Sequence, residues 1–175
     1  IVISTNFLLF AGHETTAHLI SVGMYYLMQN PDQMAQLQAD PSKIPQAVEE
    51  LLRYVSPVHT LGRRTRQEVN IRGVTIPEGT SLYLLVGSAN RDADKFADPE
   101  KLDINRPPVR SLGFGYGIHY CLGAALARVE SQIAFETLLK RLPNIHMTIE
   151  TPEFRPNYSL RGLKSLPVAF DQVSS

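Results

Sequence analysis

The hydrophobic pattern at the start of the chain predicts helices. Residues 1–28 are largely apolar, interrupted by Asn6, His13, Glu14 and His18. These interruptions favour a long buried helix over a membrane span, and the helix is expected to end at Asn30-Pro31. Pro31 fits the first turn of a second helix with Asn30 as its cap, and Pro41 closes that helix.

A third helix is predicted from Pro45 through Tyr54. Its apolar residues recur at helical spacing as Val48, Leu51, Leu52 and Val55, which is typical of a helix with one buried face. Ser56-Pro57 is expected to stop it, because the residue before a proline disfavours the helical conformation.

The pattern then changes to that of strands. Residues 69–76 alternate between apolar and polar side chains, residues 77–80 have turn composition, and Leu82 to Val86 form a short apolar run. Alternation with a period of two predicts strands on either side of a turn.

The remaining chain is predicted to be irregular first and helical afterwards. Residues 90–110 show little periodicity and contain several prolines, which predicts an irregular segment. Residues 122–142 have helical spacing, marked by Leu122, Leu126, Val129 and Ile133. Residues 145–149 and 166–170 are short strand candidates. The fold class is therefore mainly α with small β-sheets (α+β).

Composition limits the possible partners and compartments. The 175 residues are 43% hydrophobic and 19% charged, with 17 basic and 17 acidic side chains. The balanced charge provides no electrostatic case for nucleic acid or an anionic membrane. A single cysteine cannot form an internal disulfide, so a cytoplasmic, reducing location is expected. The chain has no initiator Met and no cap before its first helix. We expect it to start partway through a larger fold, whose upstream region could carry an anchor or a targeting signal.

The only cysteine, Cys121, follows a loop with glycine at positions 113, 115 and 117 and precedes the last predicted helix. Glycines allow close approach to a ligand, and a helix start favours an anionic sulfur. The arrangement suits a thiolate held against a flat metal cofactor. The competing interpretations are an inert buried cysteine, a protease nucleophile without a local signature, and a zinc site, for which only His119 is near.

Residues 114–123, with the pattern Phe-Gly-x-Gly-x-His-x-Cys-x-Gly, resemble the haem-binding signature of the cytochrome P450 superfamily in its bacterial form. The resemblance implies that Cys121 is the axial thiolate ligand of the iron in haem b. It also implies that Phe114 packs beside the sulfur, that Gly115 lies against the cofactor, and that His119 reaches a haem propionate.

The segment Glu50-Leu-Leu-Arg53 taken alone is an ordinary pair at helical spacing. Placed upstream of the cysteine loop, it resembles the family's Glu-x-x-Arg motif. That motif pairs with an arginine of the irregular segment, and Arg106 matches. The resemblance implies a structural role for all three residues.

Residues 11–16, Ala-Gly-His-Glu-Thr-Thr, resemble the family's oxygen-activating helix. The resemblance implies that Ala11 contacts the cofactor, that Gly12 leaves room for dioxygen, that Thr15 donates a hydrogen bond to dioxygen, and that Glu14 relays protons. The competing interpretation of Thr15 is a hydrogen bond to the preceding helical turn.

The helical spacing of His13, Glu14 and His18 argues against a zinc-hydrolase site built on these residues. Zinc-protease histidines are four residues apart, whereas these are five apart. At ~100° per residue they diverge by ~140° around the helix. We do not expect them to bind one zinc ion.

Smaller matches concern the propionates and the substrate. Arg63 fits the family's propionate-binding arginine, with Arg64 as the rival. Residues 58–61 correspond to a stretch that lines the substrate pocket, which makes Val58 and Leu61 candidate substrate contacts.

Together these matches are identified with the carboxyl-terminal, haem-binding portion of one cytochrome P450 domain, comprising residues 1–175, with the amino-terminal half absent. The resemblance implies a monooxygenase that hydroxylates or epoxidises an apolar small molecule, such as a polyketide, with O₂ and a ferredoxin- or flavodoxin-type electron donor. The alternative is an inactive fragment that needs its missing half. Exposed apolar faces on the first helix would then make the isolated chain poorly stable or prone to aggregation.

Overall fold

A computed structural model describes residues 2–107 and 110–172. Its first helix, α1, runs from Val2 to Gln29, as the hydrophobic pattern predicts. Burial is confined to the carboxyl-terminal part, where Val22 and Leu27 have no exposed surface. The prediction of a buried helix holds only for this part. No described element covers the first two and a half turns, and apolar side chains are exposed there, as expected for this helix without an amino-terminal half. The large apolar side chains exposed there are Val2, Ile3, Phe7, Leu8, Leu9 and Phe10.

The second helix, α2, spans Pro31–Ala39. The predicted capping role of Asn30 is wrong: its side chain makes no hydrogen bond to α2. The amide instead donates to the carbonyl of Tyr26 at 2.8 Å, because the last turn of α1 leaves carbonyls without helical partners. A 3₁₀ turn, Pro41–Lys43, follows and is capped by Asp40.

The third helix, α3, spans Ile44–Val55. The predicted apolar stripe is buried, with exposed fractions of 1% to 4% at its four positions. Ser56 ends the helix in the left-handed conformation, with φ of 45°. Helices α1 and α3 pack against each other and against the last long helix, α5, which spans Ala124–Arg141.

Two small antiparallel sheets follow α3. Strand β1 (Thr60–Arg64) pairs with β4 (Ser81–Leu85), and β2 (Val69–Ile71) pairs with β3 (Val74–Ile76). The alternating run 69–76 is therefore two strands, because Arg72 and Gly73 both adopt positive φ and form a tight turn. The sequence did not predict β1. Val86 lies beyond β4 and begins the short helix α4, Val86–Ala89.

Residues 90–107 contain no helix or strand, as predicted, and residues 108 and 109 of the predicted irregular segment lie outside the described part. Both predicted tail strands form, as β5 (His146–Met147) paired with β6 (Val168–Ala169). The helix α5 forms where predicted, but its marker residues face outward. They are Leu122, just before the helix, and Leu126, Val129 and Ile133, with exposed fractions of 52% to 93%. Its buried face is Ala124, Ser131, Phe135 and Leu139.

The described helices include none with the length and hydropathy that a bilayer span requires. In the described residues, the mainly helical structure with three two-stranded sheets confirms the predicted fold class. The sheets and the glycine loop frame the cavity described below.

Candidate functional site

A cavity of about 1350 Å³ opens between α1, the β1–β4 sheet, the glycine loop and the start of α5. Its walls are mostly apolar, with Phe7, Leu19 and Leu126 among them. Ten residues to which the resemblance gave a role share this lining: Ala11, Gly12, Thr15, Val58, Leu61, Arg63, Phe114, Gly115, His119 and Cys121. Residues distant in sequence thus meet around one space large enough for a cofactor and a ligand.

The glycine loop presents Cys121 at the cavity wall. Gly115 and Gly117 both have φ of 72°, a conformation that favours glycine. The Cys121 amide donates to the Phe114 carbonyl at 2.9 Å, and this bond closes the loop. The thiol is exposed. It precedes the first residue of α5, Ala124, so the positive end of the helix dipole lies close to it.

Two further loop residues lie beside the cysteine. Phe114 is half-buried against the core, and its ring centroid lies 6.4 Å from that of Tyr120. His119 ends a short 3₁₀ turn, Gly117–His119, and is exposed on the cavity wall.

Helix α1 supplies another wall through Ala11, Gly12 and Thr15. A Cβ placed on Gly12 would meet no heavy atom within 4 Å, so the space beside it is open. The Thr15 hydroxyl donates to the Ala11 carbonyl at 2.8 Å, which is the helical back-bond that a threonine in this position favours. Thr15 therefore faces the cavity with its hydroxyl hydrogen bonded to the Ala11 carbonyl.

Glu14 does not line the cavity. Its half-exposed carboxylate lies 3.5 Å from Nε2 of His18, one turn further along α1. His18 is buried, and a Cβ on Gly162 would lie 2.2 Å from its ring. Burial lowers the pKa of His18, the Glu14 carboxylate opposes this shift, and Arg155 adds to it.

The two histidines of α1 point to different surroundings, as the angular argument predicted. His13 lines the cavity, whereas His18 packs against Gly162. Within residues 2–107 and 110–172, no three His, Cys, Asp or Glu side chains are grouped so that they could hold a metal ion.

The alternation of side chains along β1 separates Arg63 from Arg64. Leu61 and Arg63 share the cavity side of the strand. Arg64 takes the other side, where its Nε donates to the carbonyl of Gly79 at 3.0 Å. Val58, just before β1, also lines the cavity, beside Leu160, with which it forms a β-bridge.

Glu50, Arg53 and Arg106 form a buried ionic cluster. Arg53 binds both carboxylate oxygens of Glu50, at 2.7 and 2.8 Å. Arg106 Nε lies 3.1 Å from Oε2 of the same carboxylate. The exposed fractions are 5% for Glu50 and 2% for Arg53, so the charges are compensated within the protein and not by water.

The remaining donors of the cluster bind backbone. Arg53 donates to three carbonyls of the irregular segment, those of Asn90, Pro99 and Lys101. Arg106 donates to those of Ala97, Asp98 and Lys101. The cluster fixes the path of a segment that lacks its own secondary structure.

Asn90 joins this cluster to the glycine loop, a role the sequence analysis missed. It is fully buried; its carbonyl accepts from Arg53, its side-chain amide donates to Ser56 Oγ at 2.8 Å, and its Oδ1 accepts from the Leu112 amide at 2.7 Å. A lone asparagine at the end of α4 carries no periodic signal, so only the structure reveals these contacts.

The comparisons with known proteins agree with this arrangement. The family description "Cytochrome P450" matches residues 1–157. Cytochrome P450 CYP107DY1 of Priestia megaterium is 51% identical over 170 residues, covering 96% of this chain and 42% of the relative. The chain belongs to the cytochrome P450 family.

Two further similarities are more specific. The polyketide biosynthesis cytochrome P450 PksS of Bacillus subtilis is 45% identical over 168 residues, covering 94% of this chain and 42% of PksS. The crystal structure of P450BioI in complex with hexadec-9Z-enoic acid ligated acyl carrier protein matches with a TM-score of 0.92 and 46% identity, covering 94% of this chain and 43% of that one. The chain thus spans about two-fifths of the length of these relatives.

The residues present fit the haem that this family implies. A thiol, the ligand type of P450 iron, stands on the cavity wall, and the loop that carries it has backbone that only glycine adopts readily. The cavity has room beside Gly12 and apolar walls, which suit a flat macrocycle. Arg63 and His119 offer nitrogen donors for carboxylates at its edge.

Proposed function

We propose that this chain is the haem-bearing portion of a monooxygenase that oxidises an apolar small molecule. The observation that carries the proposal is the shared cavity of Cys121 and Thr15, a thiolate ligand and a hydroxyl, which come from segments more than 100 residues apart and line one largely apolar space. The reaction inserts one atom of O₂ into a substrate C–H or C=C bond and releases the other as water, consuming two electrons and two protons.

Haem, when bound, would supply the reduction and cleavage of dioxygen. Cys121 would provide the thiolate ligand, favoured by the positive end of α5. Arg63 and His119 would bind the propionates. Val58 and Leu61 would form an apolar wall for the substrate, together with Phe7 and Leu126.

Protons would be delivered by Thr15 and Glu14. Thr15 would exchange its bond to the Ala11 carbonyl for one to dioxygen by rotation of its hydroxyl. Glu14 would exchange protons with solvent through its half-exposed carboxylate and pass them to Thr15 through water, since Glu14 does not reach the cavity itself.

The relatives support the substrate class, and the electron donor is the one that the resemblance to the family implies. The apolar walls and the similarity to a polyketide-biosynthesis P450 support an apolar natural product as substrate. A ferredoxin- or flavodoxin-type protein would supply the electrons.

The domain assignment belongs to the same proposal: residues 1–175 would be the carboxyl-terminal portion of one P450 domain. Two facts support it. The chain covers 42% of CYP107DY1, and it exposes contiguous apolar residues on the first turns of α1 and along α5. The polypeptide that corresponds to the rest of a relative would cover these faces. The competing function, an inactive fragment, is favoured by the same exposed faces.

The decisive experiment is the absorption spectrum of the reduced, haem-reconstituted chain with carbon monoxide, alone and with the amino-terminal portion of CYP107DY1 added. We expect a strongly red-shifted Soret band that is lost in Cys121→Ser. Cys121→His is the control, because it keeps a ligand and should bind haem without the red shift. Absence of haem binding in both preparations would refute the proposal, and binding without turnover would favour the inactive fragment.

A further inference from the structure

We propose that Arg128 is a positioning residue for the Cys121 thiolate, which it acts on by holding the two aromatic side chains that flank the cysteine loop. The inference rests on the proposed function in one respect, the role of Cys121 as the haem ligand. Its geometry and its first test concern the chain without haem.

Arg128 lies on the second turn of α5, and its guanidinium makes contacts with three parts of the chain. It binds both carboxylate oxygens of Glu49 in α3, one of them at 3.2 Å. It donates to the Tyr120 hydroxyl at 3.2 Å and lies 4.5 Å from the centroid of the Phe114 ring. A planar, forked cation is suited to such a combination of a bidentate carboxylate pair and a ring stack, whereas lysine is not.

These contacts lead directly to the cysteine. The Phe114 carbonyl accepts the Cys121 amide hydrogen bond that closes the loop, and Tyr120 is the residue before the cysteine. Both residues therefore fix the backbone of Cys121, and both touch the same guanidinium. Because Glu49 holds the guanidinium against α3, the position of the cysteine loop is fixed relative to α3 as well as to α5.

The tether also keeps a fixed positive charge beside the loop. The hydrogen bonds that Arg128 donates to the Glu49 carboxylate raise the pKa of Arg128 above its usual range. The side chain of Arg128 is 32% exposed and that of Glu49 47%, so the pair is partly screened by water. Geometry, rather than charge alone, carries the expected effect.

The first test measures the reaction of Cys121 with a disulfide reagent in the haem-free chain. Because Cys121 is the only cysteine, the rate reports on this thiol alone. We expect Arg128→Met to change the rate about three- to tenfold, from the loss of the cation–ring contact and its hydrogen bonds. Arg128→Lys should give an intermediate change, because lysine keeps the charge but not the fork.

The matched control is Arg141→Met, which removes an exposed arginine from the last turn of the same helix. It should leave the rate unchanged. Glu49→Gln should shift the rate in the same direction as Arg128→Met and add little to it in the double variant. An unchanged rate in Arg128→Met, or an equal change in Arg141→Met, would overturn the proposal. If Arg128→Met does not fold, Arg128→Lys and Glu49→Gln decide it.

The second test uses the haem-loaded protein. Reduced Arg128→Met with carbon monoxide should lose its red-shifted Soret band to the unshifted form several times faster than the wild type, whereas Arg141→Met should not. A wild type that binds no haem would defeat the proposed function and leave the thiol result standing. A wild type with the red-shifted band and an Arg128→Met variant of equal lifetime would defeat the positioning role alone.

Discussion

The Glu50 cluster and the Cys121 cavity are built from neighbouring segments but differ in how complete they are. In the cluster, one carboxylate meets two guanidiniums, and the remaining donors reach backbone carbonyls. In the cavity, the thiol, His119 and several large apolar side chains are open to solvent. The first region is closed by contacts within this chain, whereas the second is exposed.

This difference separates the residues that stabilise the fold from those that form the candidate site. A buried ionic cluster must be closed, because an uncompensated charge away from water is costly. A cavity with apolar walls can remain open at a smaller cost per side chain, at the risk of association with other molecules. Substitutions in the two regions should therefore affect different measurements.

The largest expected effect is the loss of stability caused by removing the charge of Glu50 from the buried ionic cluster. Glu50→Gln would leave the buried Arg53 guanidinium without its countercharge, and we expect the free energy of unfolding to fall by about 3–5 kcal/mol. Urea unfolding followed by circular dichroism measures this loss. Glu136→Gln, at an exposed position of α5, should stay within about 0.5 kcal/mol of the wild type; a similar loss in both variants would contradict the distinction.

The two faces of α5 should differ in the same way. Phe135 is 1% exposed and Ile133 is 59% exposed, so Phe135→Ala should cost about 3–4 kcal/mol from lost burial and the resulting cavity. Ile133→Ser should cost less than about 1 kcal/mol and reduce self-association in analytical ultracentrifugation. Unchanged or increased association of Ile133→Ser would show that this face does not mediate self-association.

Arg63 and Arg64 of β1 allow a comparison of the cavity wall with the opposite side of the strand. Arg63→Ala should weaken haem binding by on the order of tenfold, since a charge-assisted bond to a propionate contributes about 1.5–3 kcal/mol when it is well formed. Arg64→Ala removes the same charge from the opposite side of the strand and should have little effect. Haem titration followed by absorbance distinguishes them, and equal weakening would assign the effect to net charge.

The smallest effect expected is a loss of stability at mildly acidic pH. Burial is the main cause that lowers the pKa of His59, and the nearby Arg161 adds to the shift. Burial is also the main cause that lowers the pKa of His18. A group whose pKa is lower in the folded protein binds more protons when unfolded. Its contribution is therefore present above about pH 6.5 and is lost as the pH falls toward the folded pKa.

The check is the free energy of unfolding measured between pH 7.5 and 5 for the wild type and two variants. His59→Gln should show a shallower decline than the wild type. His146→Gln, at an exposed position, should follow the wild type. A decline in His59→Gln as steep as in the wild type would assign the pH dependence to other groups.

The sequence predicted elements with strong periodicity and motifs with fixed spacing. It located α3 and α5 because helical spacing is contained in short stretches. The pairing of Glu50 and Arg53 with Arg106, 56 residues from Glu50, came from the resemblance to the family. It missed β1, because Gly62, Arg63 and Arg64 have no strand pattern and the strand exists only through its pairing with β4.

Other misses concern contacts between distant residues. Arg128 and Glu49 are 79 residues apart, and each alone is an ordinary charged residue of a helix surface. Glu14 occupies a position of the oxygen-activating motif, yet only the structure shows that its carboxylate contacts His18 and does not line the cavity.

Asn90 has a further consequence for the dynamics of the glycine loop. Its single side chain accepts the Leu112 amide, while its carbonyl is held by Arg53. The Leu112 amide lies in an irregular stretch, where hydrogen exchange is normally fast, yet its acceptor moves only with the core. The beginning of the cysteine loop should therefore belong to the same cooperative unfolding unit as α3 and exchange its protons only when that unit opens.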